Sequence, residues 1–172
     1  MSRDARQREE LLASLNDGFR QLSAATIMFH QAVADQLGMN ITDHKCADLL
    51  ARTGPITAGD LARRTGLTTG AITGVIDRLE REGFVRRARD PHDRRRVIVE
   101  PVVKRMEQVI APLFASMGRS AAELCARYST EELAVIHDFT TRCQQMAIDE
   151  ACKLRAAGAA AKRAKGSKVT GR

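Results

Sequence analysis

A mainly α-helical fold carrying one small β-hairpin is what this 172-residue chain predicts, and three observations predict it. Apolar residues recur at alternating spacings of three and four toward both ends of the chain. The middle is cut into short helical segments by capping residues and glycines. After Gly83 the period changes, and two β-branched, arginine-rich runs flank Asp90-Pro91-His92-Asp93.

The first seam, Leu12, Leu15, Phe19, Leu22, Thr26, Phe29 and Val33, predicts one long helix over residues 5–37, interrupted in its apolar character only at Thr26. The middle predicts three short helices. One runs over 42–52 with Thr42 as its cap, one over 57–65 opened by Thr57 with Asp60 three residues on, and one over 68–82 ended by Gly83. Gly54-Pro55 separates the first two. FVRRARDPHDRRRVIVEPV then predicts a two-stranded hairpin. A second seam, Val103, Met106, Ile110, Leu113, Met117 and Leu124, repeats the helical pattern, with Pro112 bending it because proline removes a backbone donor. Ser129 and Glu132 form a capping box, with Tyr128 and Leu133 placed as a hydrophobic staple, and a last helix runs to about residue 153. The tail AAGAAAKRAKGSKVTGR has no apolar face and is expected to be mobile.

The expected organisation is therefore an N-terminal dimerisation helix over 1–40, a central domain of short helices and a hairpin over 41–101, C-terminal dimerisation helices over 102–153 and a flexible basic tail over 154–172. Long apolar seams at both ends of so small a chain need surfaces to cover them, which predicts a helical homodimer.

Composition narrows the function classes. A hydrophobic content of 44% suffices for a core in one domain. No run approaches the roughly 18 apolar residues of a membrane span, and the opening MSRDARQREELL is charged where a secretory signal would be apolar, so a cytoplasmic protein, at the nucleoid when bound to DNA, is expected, with no membrane partner. Cys46, Cys125, Cys143 and Cys152 show no CxxC and no Cys/His spacing of a zinc knuckle, so no metal site is written, and reduced, mostly buried thiols are expected. Cys143 falls in the stripe Leu133, Ile136, Phe139, Cys143, Met146 and reads as core, whereas Cys46, in TDHKC near a helix start, is a candidate redox sensor. GxxxxGK, GxGxxG, HExxH and GxSxG motifs are all missing, so neither an enzyme nor a cofactor is expected.

The net charge of +7 is uneven. Residues 60–99 carry 10 basic and 6 acidic side chains and residues 153–172 carry 7 and none, while 1–59 and 100–152 are slightly acidic. Such a distribution fits a chain with one face turned to a polyanion.

Two short helices joined across Thr65-Gly66-Leu67 and followed by a basic hairpin have the plan of a winged helix-turn-helix. In the second helix Ile72, Val75, Ile76 and Leu79 form the inner stripe, and Gly70, Thr73, Gly74, Asp77 and Arg81 face outward. Small and hydroxylated residues suit a helix that must press close to the floor of the major groove.

The string LTTGAITGVIDRLEREGFVRRARDPHDRRRVIV resembles the recognition helix and wing of the MarR family of bacterial transcriptional regulators, through its helix ending DRLEREG, its FVRR strand and its DPxDRR turn. The order of elements follows that family from about residue 10 to 150. The resemblance implies a homodimeric regulator, more a repressor than an activator, on a pseudo-palindromic double-stranded operator, with Thr68, Thr69, Gly70, Thr73, Gly74 and Arg78 at the major groove. It further implies that Arg95 enters the minor groove, held by Asp93 and flanked by Arg94 and Arg96. It also implies a cleft for a small amphipathic or aromatic ligand that releases the protein from DNA, for which Met28, His30, His44 and Cys46 are candidates. Two departures stand out: Gly74 occupies a position where a base-contacting arginine is common, and Glu100-Pro101 replaces the usual Leu-Thr ending of the second wing strand.

Arginine suits a narrow minor groove because its guanidinium is less costly to desolvate than an ammonium. Six wing arginines predict steep salt dependence, at about 0.9 counterions per phosphate contact. Arg86 and Arg87 have an equal claim to phosphate contact and to ion pairing with Glu80 or Glu82. Two alternatives remain at this point: a redox-sensing regulator acting through Cys46, and a sequence-independent architectural DNA-binding protein, which the alanine-lysine tail favours.

Overall fold

In the computed structural model, which describes residues 2–91, 93 and 96–169, with side chains up to residue 158, the first seam forms α1 (Arg3–Gln36). Ser2 caps it, its hydroxyl accepting from the Ala5 N–H. The helix stops where Gly38 takes φ 65°, which lets the Met39 N–H reach the Ala34 carbonyl at 2.9 Å and the Gly38 N–H reach that of Asp35. The chain divides into two units, Met1–Phe114 and Ala115–Arg172.

In the first unit α2 spans Ile41–Thr53. Its cap is Asn40, not Thr42: the Asn40 side-chain oxygen accepts from the Asp43 N–H at 2.9 Å, so the helix begins earlier than the threonine suggested and Thr42 lies inside the first turn. α3 (Ala58–Thr65) opens as predicted, Thr57 accepting from the Asp60 N–H and donating to its carboxylate at 2.7 Å. α4 (Thr69–Arg81) is capped by Thr68 and closed by Gly83 at φ 76°, where the Phe84 N–H returns to the Leu79 carbonyl at 2.9 Å.

The hairpin strands are β2 (Val85–Arg89) and β3 (Val97–Pro101), antiparallel with Arg87 opposite Val99. A third strand, β1 (Ile56–Thr57), pairs with the far side of β3, giving the order β1-β3-β2. Two residues are too few to display an alternating pattern, so β1 left no periodic trace in the sequence. The predicted hairpin is thus two-thirds of a three-stranded antiparallel sheet.

The core of this unit gathers Leu50 from α2, Leu61 from α3, Ile72, Val75, Ile76 and Leu79 from α4, Phe84, Val85 and Val99 from the sheet region, and Met106. The predicted inner stripe of α4 is buried in full. Burying each such side chain is worth roughly 1.5–3 kcal/mol, so α4 is firmly seated on its apolar face.

Past β3, the Val102 N–H bonds the Phe84 carbonyl and α5 runs over Val103–Val109. The second seam breaks at Ile110, just ahead of Pro112, and resumes as α6 (Ala111–Cys125). Proline has no N–H to continue the ladder, and the Leu113 N–H turns to Ile110 at 3.0 Å.

The second unit contains the rest of α6 and α7 (Thr130–Val169). The capping box forms: Ser129 Oγ accepts from the Glu132 N–H at 3.2 Å, and the Glu132 carboxylate accepts from the Ser129 N–H at 2.8 Å. The sequence reading ended this helix near 153 and made 154–172 a flexible tail; the helix instead continues to Val169. Alanine has the highest helix propensity, and the run AAGAAAKRAK holds no proline, so the backbone continues without needing an apolar face.

The cysteines also depart from expectation. All four are unpaired, but only Cys46 is buried; Cys143 is half-buried and Cys125 and Cys152 are exposed. Among the described residues no helix is long and apolar enough to cross a membrane.

Candidate nucleic-acid interface

The outward face of α4 begins with Thr68, Thr69 and Gly70, all exposed, followed by Thr73 and the half-buried Gly74. Two hydroxyls are engaged locally. Thr68 Oγ1 accepts from the Ala71 N–H, and Thr73 Oγ1 donates its proton to the Thr69 carbonyl at 2.9 Å. Thr73 therefore offers a partner its lone pairs and its methyl group, and no proton. A Cβ built on Gly70 meets nothing within 4 Å, and one on Gly74 meets only the end of the Arg78 side chain at 3.5 Å. Packing within the chain thus does not require either glycine. Each costs helix stability relative to alanine, and neither is explained by contacts within the chain.

Arg78 has a different role from the other residues grouped with it. Its Nε and Nη2 donate to Asp43 Oδ2 and Oδ1 at 2.6 and 2.7 Å, across from α4 to the first turn of α2. Asp43 is buried, and its hydrogen bonds hold the Arg78 guanidinium above its ordinary pKa. The arginine is committed to this pair. Asp43 itself escaped the sequence reading, because a partner 35 residues away leaves no local pattern.

The wing shows a similar division. The Arg87 N–H donates to Glu80 at 3.0 Å, and its guanidinium bonds both Glu80 and Asp77. Of the two uses weighed for Arg87, the structure shows ion pairing with Glu80; Asp77 is an unforeseen second partner. Arg86 pairs with Glu100 across the β2–β3 ladder, instead of Glu80 or Glu82. Among the described wing arginines, Arg86 and Arg87 are therefore paired within the chain and Arg96 lies 4.0 Å from Asp90, so the wing is not simply a set of six free phosphate-binding cations. Near the tip, Asp90 accepts from the Asp93 N–H at 3.3 Å and lies 4.0 Å from Arg96 Nε, while the Arg96 N–H bonds the Asp93 carbonyl at 2.9 Å. Arg94 and Arg95 lie outside the described residues.

Of the four ligand candidates, the structure brings His30 and His44 together. His30 Nδ1 and His44 Nε2 are 3.1 Å apart, and both rings pack near Phe114. Met28, by contrast, is 72% exposed, and Cys46 is enclosed in the core. Phe114 also lines a cavity of about 410 Å³ with Ala47, Asp48, Val103, Met106 and Ile110, and none of the four candidates lines it; His30 instead lines a separate hollow of about 440 Å³ with Thr26, Ile27, Lys45 and Asp48. Sequence reasoning placed none of the residues around the first cavity in a ligand site, because α2 and the chain from Val103 onward come together across fifty or more residues.

Burial pushes the Cys46 thiol up to about 11, with Asp43 adding to the rise and Arg78 opposing it. A thiol that is both inaccessible and protonated is a poor oxidant target, and this weighs against the redox-sensor reading. Among the described residues no group of three or more metal-ligating side chains gathers.

The MarR family model matches residues 39–97, which hold α2 through the start of β3. The chain is 41% identical over 148 residues to the HTH-type transcriptional regulator YcgE of Bacillus subtilis, covering 86% of this chain and 96% of that protein. Among solved structures it is similar to a MarR family protein from Bacillus stearothermophilus, with a TM-score of 0.63, 24% identity, and coverage of 81% of this chain and 96% of that one. It also shares its fold with overoxidized AbfR bound to DNA, with a TM-score of 0.50, 17% identity, and coverage of 83% and 98%.

Proposed function

Because the chain belongs to the MarR family of winged helix-turn-helix transcriptional regulators, we propose that it acts as a homodimeric repressor on a pseudo-palindromic operator. Each α4 enters the major groove of one half-site, and each wing reaches the neighbouring minor groove through Arg95. The observation that carries this reading is the outer face of α4. Thr69, Gly70, Thr73 and Gly74 leave it thin enough to approach base edges, on a helix seated by four buried apolar side chains. The fold shared with AbfR, a protein solved bound to DNA, supports a DNA-binding reading. Release by a small amphipathic or aromatic ligand is supported by the largely apolar cavity that Phe114 lines.

Selection of duplexes from a random pool tests the reading. The wild-type dimer enriches a two-fold symmetric site and binds it at least about a thousandfold more tightly than a shuffled duplex. An architectural protein binds both nearly alike, and that outcome refutes the operator reading. Arg95→Ala abolishes binding to the enriched site and leaves the dimer folded; unchanged affinity at physiological salt rules out the wing contact.

A further inference from the structure

Directional ion pairs to two different elements hold α4. Toward α2, the fork of Arg78 meets both oxygens of Asp43. Toward the sheet, Arg87 of β2 reaches Asp77 and Glu80. The apolar stripe resists lifting of α4 but is nearly indifferent to a small roll or slide, because hydrophobic contact has no preferred direction. A bidentate guanidinium–carboxylate pair does have one.

The two pairs differ in environment. The Asp43 side chain is 5% exposed, against 50% for Asp77 and 37% for Glu80. Solvent and salt screen the sheet-side carboxylates more than Asp43, although the Arg78 side chain is itself 41% exposed against 31% for Arg87, so the difference between the pairs lies on the acidic side. Asp43 is also fixed from behind. Its N–H bonds Asn40 Oδ1 and its carboxylate accepts from Asn40 Nδ2, both at 2.9 Å.

We propose that Asp43 is a positioning residue for DNA reading: through Arg78 it fixes the roll and register of α4, so that Thr69, Gly70, Thr73 and Gly74 meet the base edges together. Arg78 is then a strut within the protein and makes no contact with DNA. The proposal rests on the reading of α4 as the recognition helix.

The test uses the full chain, the duplex enriched by the wild type and a shuffled duplex of the same composition. Asp43→Asn removes the charge and keeps the shape. Affinity for the enriched duplex is expected to fall about tenfold or more, affinity for the shuffled duplex to hold or rise slightly, and the salt slope to stay unchanged. Direct contact by Arg78 predicts the reverse. Freed from its carboxylate, the arginine would bind both duplexes as tightly or more tightly, with a slope steeper by about one. That result overturns the proposal.

Should Asp43→Asn fail to fold, Arg78→Lys keeps the charge and loses the fork. Selection repeated on this variant is expected to lose sequence preference across the whole half-site. A loss confined to one or two base pairs would mark Arg78 as a direct reader and overturn the strut. If the wild type enriches no duplex, both the function and the strut fall; if it enriches one and Asp43→Asn reads it equally well, only the strut does.

Discussion

His44 has its two ring nitrogens in opposite circumstances. Nε2 faces His30 at 3.1 Å, while Nδ1 is buried with no hydrogen-bond partner among the described residues. An unpartnered N–H there is costlier than an unpartnered lone pair, so the favoured arrangement has Nε2–H donating to His30 Nδ1. Adding a proton places a donor at the orphaned Nδ1 or sets two donors against each other. Burial lowers the pKa of His44 from 6.5, the neighbouring His30 lowers it further, and Asp48 partly offsets both. The unfolded chain therefore takes up a proton at higher pH than the folded one. Stability is full above about pH 6.5 and falls as the pH drops through that value toward the lower folded pKa. Urea unfolding across pH 7.5 to 5 should show this decline, and His44→Phe should flatten it. An equally steep profile in the variant would place the titration elsewhere.

At the scale of elements, α4 separates what a helix needs from what its partner needs. Alanine at position 74 makes only ordinary contact with Arg78 Nη1 and improves helix propensity, so Gly74→Ala is expected to stabilise the fold by about 0.5–1 kcal/mol. The same methyl stands between the helix and the groove floor and weakens binding to the enriched duplex. Melting and fluorescence anisotropy on one preparation measure both effects, and tighter binding by the variant would refute the close-approach argument. This helix was legible in the sequence because its determinants are local: the stripe Ile72, Val75, Ile76, Leu79, the Thr68 cap and Gly83 lie within one run. The capping box of α7 was legible for the same reason. β1 was not, because its partner strand lies some forty residues on. The outward placement of the α4 threonines and glycines could be read from spacing, whereas the engagement of Arg78 by Asp43 and of Arg86 by Glu100 depends on tertiary proximity that no spacing encodes.

For the whole molecule, the apolar seams left uncovered within each unit carry the argument for association. In α1, Leu12, Leu15, Phe19 and Leu22 are 36–64% exposed, and in α7 Ile136, Phe139 and Met146 are 40–61% exposed. Covering a Leu or Phe contributes roughly 1.5–3 kcal/mol, and in a two-fold dimer each position counts twice. The wild type is expected to sediment as a pair at micromolar concentration, and the double variant Leu15→Glu, Phe19→Glu as a single 18.9 kDa chain. A variant that still sediments as a pair would move the interface away from α1.

The strand order β1-β3-β2 has a bearing on this choice of surface. The return strand β3 lies in the middle, so the sheet offers other chains only two borders. One is a strand of two residues, and the other is β2, which carries Arg86, Arg87 and Arg89. An open strand border is a template for runaway stacking with like chains. On β2 the arginines Arg86 and Arg87 are held in ion pairs with Glu100, Asp77 and Glu80, which a stacking strand would have to strip of water, so the longer border is as poor a seat for a second copy as the two-residue one.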